Sequence, residues 1–168
     1  MKNIFSILAL LLTLHVARAQ KVDFDKKLKD LGIELITPTK PIANYVKAVR
    51  TGNLLFLSGD GPSLTGKVGK DLTVEQGYEA ARQTGISLIS TLKAELGDLN
   101  KVKRIVKVLG MVNCTADFTD QPKVINGFSD LMVSVFGEKG KHARSAVGVY
   151  ALPRNFALEI EMVVEVED

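Results

Sequence analysis

"HARSAVGVYALPRNFALEIEMVVEVED", residues 142–168, is the stretch that decides the fold. Most of it alternates apolar with polar or small residues, as two half-buried strands do, with a break at Leu152-Pro153. The spacing predicts strands at about 144–150 and 156–166. Yet the stretch opens with His142 and Arg144, and Glu159 and Glu161 stand at period two inside the second strand. An arginine in an apolar strand must keep its guanidinium hydrated or find a carboxylate. Two readings are open: a cross-strand pair with Glu159 or Glu161 on the neighbouring strand, or a site.

Working back along the chain, "RIVKVLGMVN" reads as a further strand. Between it and the final pair, Thr119 or Asp120 can cap a helix with Pro122 in its first turn. The apolar stripe of that helix is Val124, Phe128, Leu131 and Val135, and Gly137 closes it. An earlier helix is marked by Thr73 and Gln76, spaced as a capping box. Val74, Tyr78, Ala81, Leu88, Leu92 and Leu96 keep helical spacing before Gly97 ends it. "YVKAVRTGNLLFLSGDGP" predicts a hairpin turning at Thr51-Gly52-Asn53. Hairpin, helix, strand, helix and two strands predict an α+β fold, a mixed sheet with two helices on one face.

The N-terminus carries a different signal. Lys2, the apolar run Ile4 to Val16 and Ala17-Arg18-Ala19 predict a cleaved signal peptide over 1–19 and an exported protein, periplasmic or secreted, with no membrane attachment afterwards. An uncleaved anchor is the alternative. Residues 20–40 read as a short helix around Phe24 to Leu31 and a Pro-bounded connection, and 41–168 as the main domain. Cleavage lowers Lys+Arg from 22 to 20 against 19 acids, so the net charge falls from +3 to +1. A near-neutral body has no basic footprint for nucleic acid. His15 departs with the signal, which leaves His142 as sole histidine and Cys114 as sole cysteine. The sequence therefore predicts no His-His or Cys-His metal site within one chain and no histidine-based triad.

Weaker signals have ordinary explanations. "SGDGP" lacks the third glycine of a dinucleotide loop, and "KVKRIVK" reads as a solvated strand face. Asn113-Cys114-Thr115 fits the glycosylation pattern. Cys114 reads as a small hydrophobe rather than a nucleophile, because no base is assigned to it.

"NYVKAVRTGNLLFLSGDGP", "DFTDQPKVINGFSDLM" and "ARSAVGVYALPRNFALEIE" together resemble the Rid (YjgF) family, from about Tyr45 to the C-terminus. The resemblance is nearest to a branch with the long "VGKDLTVEQGYEAARQTG" segment. It implies a chorismate-mutase-like fold, a homotrimer with pockets at subunit interfaces, and no cofactor or metal. By position, Arg144 matches the family's arginine for the substrate carboxylate and Glu159 its glutamate near the attacking water. Tyr45, Ser58 and Asn126 fall on pocket-lining positions. Ala146 stands where enamine-deaminating members carry cysteine. The implied activity is hydrolysis of small 2-imino or enamine acids to 2-keto acids and ammonia. The alternative is a non-catalytic module binding a small carboxylate metabolite. Endoribonuclease activity, attached to some relatives, is disfavoured by the near-neutral charge and single histidine.

Overall fold

The structure is a computed structural model that describes residues 21–41 and 43–167. The expected signal peptide over 1–19 lies outside the described residues. Helix α1 (Phe24–Asp30) is short, capped by Asp23, whose side chain accepts from Lys26 N. It buries Phe24 and Leu28, and the Phe24 ring sits 5.5 Å from that of Phe136.

Strands β1 (Ala48–Thr51) and β2 (Leu54–Asp60) form the expected hairpin, with Thr51 opposite Leu54. Gly52-Asn53 is therefore the turn, and Gly52 takes φ +56, a left-handed conformation that glycine adopts without steric cost. Helix α2 (Val74–Leu96) begins on a complete capping box: Thr73 Oγ1 accepts from Gln76 N and Gln76 Oε1 from Thr73 N. Gly97 ends it at φ +73. Strand β3 (Val102–Asn113) leads to helix α3 (Gln121–Phe136), whose Val124, Phe128, Leu131 and Val135 are all buried. Asp120 is the N-cap residue of α3 but makes no side-chain cap bond; its carboxylate pairs with Lys123 instead. Strands β4 (Ala143–Val149) and β5 (Leu158–Val166) complete the chain.

The strand order is β1-β2-β5-β3-β4, antiparallel except for β3 and β4. The parallel pair is joined through α3, as a parallel connection requires a crossover. Along β5, Leu158, Ile160, Met162, Val164 and Val166 are buried, and Glu159, Glu161, Val163 and Glu165 lie at the alternate positions. The α+β layout, with α2 and α3 over one face of a mixed sheet, is as expected.

One expectation is overturned. The last two strands are not neighbours, because β3 lies between them: Val108 stands opposite Arg144 on one side and opposite Met162 on the other. Arg144 has no cross-strand partner in Glu159 or Glu161. The connection after Leu152 is a 3-10 turn at Pro153–Asn155, with Arg154 and Asn155 both left-handed at φ 56 and 57. It carries the chain across β3 before β5 begins.

Candidate functional site

Arg144 faces α3 from β4, the edge strand. Its Nη1 donates to Asn126 Oδ1 and to Ser129 Oγ, both at 2.9 Å. Those acceptors are three residues apart on α3, so they occupy one helical face. The two bonds use both hydrogens of Nη1. The Nε and Nη2 edge, which offers two parallel N–H bonds, has no partner among the described residues. Arg144 lines a hollow of about 320 Å³ together with Ser129, Val133, Lys141 and His142. Ala146 lies two residues further along β4, partly buried against the core.

His142 belongs to the same cluster. Its Nδ1 is 2.7 Å from the Gly140 carbonyl oxygen and its Nε2 is 3.1 Å from Ser129 Oγ. The Phe128 ring meets it edge-on at 5.9 Å. Burial pushes the His142 pKa below the usual histidine range and the Arg144 charge adds to this, against the Gly140 hydrogen bond.

Glu159, Tyr45 and Ser58 form a second group. They line a cleft of about 850 Å³ with Lys47, Asp60 and the Pro153-Arg154 turn. Ser58 Oγ donates to the Val46 carbonyl at 2.7 Å. Gly59 lies against the Glu159 carboxylate so closely that a Cβ there would overlap it. Burial raises the Glu159 pKa, and the charges of Glu161 and Asp60 raise it further. Asp60 itself is engaged, 2.6 Å from Ser87 Oγ and 3.9 Å from Lys47 Nζ.

The six expected site residues thus fall into two clusters: Arg144, Asn126 and Ala146 by α3, and Tyr45, Ser58 and Glu159 at the other cleft. Ser129 and His142 join the first cluster without a sequence signal that marks them. The spacing of Asn126 and Ser129 was visible, but nothing linear places His142 against them.

The weaker candidates resolve plainly. Asn113 is 1% exposed; its Nδ2 donates to Asn155 Oδ1 and the Phe156 carbonyl, and its Oδ1 accepts from Lys67 Nζ. Cys114 is buried, with Gln121 Nε2 at 3.6 Å from its sulfur, as a small hydrophobe would be.

A five-stranded mixed sheet with two long helices on one face and an arginine presented from its edge strand defines a chorismate-mutase-like protein. Residues 25–166 match the family described as "YjgF/chorismate mutase-like, putative endoribonuclease", and the chain belongs to that family. It is 45% identical over 148 residues to Protein TCP17 of Trypanosoma cruzi, covering 84% of this chain and 92% of that one. It is 30% identical to the 2-iminobutanoate/2-iminopropanoate deaminase of Dermatophagoides farinae, over 76% of this chain and 90% of that one. Among solved structures, protein Atu1372 of Agrobacterium tumefaciens, described as of unknown function, superposes with a TM-score of 0.81 at 40% identity. That match covers 86% of this chain and 92% of the other.

Proposed function

We propose that the protein hydrolyses small 2-imino or enamine acids to 2-keto acids and ammonia, in a homotrimer whose sites lie where two subunits meet. The observation that carries this is the Nε/Nη2 edge of Arg144, held in place by α3 and left free of any carboxylate among the described residues. A guanidinium edge of that kind takes a carboxylate bidentately. A 2-imino acid places its carboxylate beside an electrophilic C=N carbon, so the clamp fixes the reacting carbon as well. Glu159 accepts a proton from water as the oxygen bonds to that carbon. It returns that proton to nitrogen, giving a carbinolamine; the hydroxyl proton then passes through Glu159 to the same nitrogen as the C–N bond breaks, so the C=O forms and ammonia leaves. The raised Glu159 pKa suits a group that must both take and give a proton near neutrality.

A second copy of the chain is the expected partner. Val49, Phe56 and Val147 are exposed apolar residues. Val49 and Phe56 border a shallow hollow of about 400 Å³ with Leu109, Ser145 and Glu161, which an apposed sheet would cover. Support for the chemistry also comes from the similarity to the mite deaminase. Ala146, in place of the cysteine of deaminating members, favours a second reading: a small-carboxylate-binding module without turnover. The endoribonuclease reading, which the matched family's description names, is disfavoured by the near-neutral charge and the single histidine, whose two ring nitrogens are both hydrogen-bonded. Export remains part of the proposal, and the intact mass of natively exported protein should correspond to a Gln20 start; retained Met1 would remove it. Imine hydrolysis is tested by generating 2-iminobutanoate in situ and following 2-oxobutanoate and ammonia. Binding of 2-oxobutanoate with no acceleration of hydrolysis would leave the binding module.

A further inference from the structure

We infer that Ser129 and His142 are positioning residues for Arg144, a directed hydrogen-bond relay that anchors its Nη1 corner and aims the Nε/Nη2 edge at a substrate carboxylate. The inference rests on the proposed function and supplies the groups that make the clamp rigid.

The direction of the relay follows from which atoms can donate. The Gly140 carbonyl only accepts, so the hydrogen of the 2.7 Å contact is on His142 Nδ1. A neutral imidazole has no second N–H, so Nε2 accepts and the Ser129 hydroxyl, 3.1 Å away, donates to it. With its hydrogen committed, Ser129 Oγ offers only lone pairs, and Arg144 Nη1 donates into one of them at 2.9 Å. Asn126 Oδ1 accepts the other Nη1 hydrogen. Each of these four hydrogens has a single acceptor, and the Nε/Nη2 edge is left for a bound carboxylate.

Protonating His142 breaks this order. Nε2 gains a hydrogen and must donate toward the oxygen that already receives Arg144, and a second positive charge arrives beside the guanidinium. The groups facing the ring are few. Arg144 comes from β4, which begins one residue after the ring, Ser129 and the Phe128 ring from α3, and the Gly140 carbonyl from the preceding 3-10 turn. Lys141 lines the same hollow, with its amine 2.8 Å from Glu138. Among the described residues no carboxylate faces His142 to favour the cation, and the lowered pKa accords with a neutral ring at neutral pH.

The test titrates 2-oxobutanoate, whose carboxylate stays ionised, against wild type, Ser129→Ala, Ser129→Thr, His142→Gln and Arg144→Ala between pH 5 and 8. Ser129→Ala should weaken binding about tenfold, the scale of a lost hydrogen bond to a charged group, and Ser129→Thr should restore it. Wild-type affinity should fall as the pH drops through the His142 pKa. His142→Gln, whose amide oxygen accepts without titrating, should flatten that profile. A second readout needs no ligand: nitrogen-15 NMR, assigned by difference from His142→Gln, should report the Nδ1–H tautomer. An Nε2–H tautomer, or a His142→Gln pH profile matching wild type, overturns the relay. If Arg144→Ala binds 2-oxobutanoate as wild type does, the proposed function fails instead, and the tautomer still decides the hydrogen-bond direction.

Discussion

Arg144 and Glu159 lie on two strands that do not pair, with β3 between them. Arg144 stands opposite Val108 and Glu159 opposite Met111, three positions further along. The Arg144 guanidinium reaches toward α3, while Glu159 alternates away from the buried side chains of β5. One chain therefore does not bring the two groups together, and if both act on one substrate, they come from different subunits.

Such a shared site predicts complementation. Arg144→Ala and Glu159→Gln should each be inactive alone. In a trimer assembled from both, one interface in three pairs an intact Arg144 with an intact Glu159. Random co-assembly of equal amounts should then recover about a quarter of wild-type activity. Activity assays on co-refolded mixtures check this, and mixtures as inactive as their components would place both groups in separate sites.

Arg144→Ala should abolish turnover and weaken 2-keto acid binding more than tenfold, as loss of a charge-assisted bidentate contact implies. Lysine should restore little, because an ammonium cannot present a planar fork. Calorimetric titration of the three proteins measures it. Equal affinities would mean that the free edge of Arg144 is not a binding group.

Glu159→Gln should reduce kcat on the order of 10²-fold while keeping ligand affinity. The stability effect has a definite sign. A folded-state pKa raised above the unfolded value means that ionised Glu159 costs stability at pH values above it, and the cost is relieved as the pH falls through it. The glutamine variant should therefore melt no lower than wild type at pH 7, with any advantage shrinking toward acid. A lower Tm at pH 7 would show that the carboxylate serves the fold.

Gly59→Ala should separate placement from chemistry. Its Cβ would overlap the Glu159 carboxylate, the mobile end of a side chain, so the carboxylate moves and the backbone does not. The expected result is reduced kcat with unchanged 2-keto acid affinity and nearly unchanged Tm. Wild-type turnover in this variant would show that the position of the carboxylate is not demanding.

Much of the fold was legible because its signals are local. Thr73 and Gln76 announce α2 through bonds that span three residues, and the Val124-to-Val135 stripe needs only helical spacing. The order of the final strands was not legible. Period-two alternation reports which face of a sheet a side chain takes but not which strand lies beside it. β4 and β5, consecutive in the chain, were read as partners for that reason, and the β3–α3–β4 crossover separated them. Arg144 and Glu159 could be singled out as polar residues in apolar strands. The hydrogen bonds of Ser129 and His142 arise only when α3 folds over β4, so no spacing in the sequence announces them.

Asn113 carries a consequence for how the protein can be made. Its side-chain amide fastens the end of β3 to the turn that walls the larger cleft, and it is sealed from solvent. In a host that transfers oligosaccharides to nascent chains, attachment at this asparagine can happen only before folding. A sugar-bearing chain could no longer seat that amide in its buried place. Sugar transfer and the native state would then be competing fates, and the faster one would set the yield.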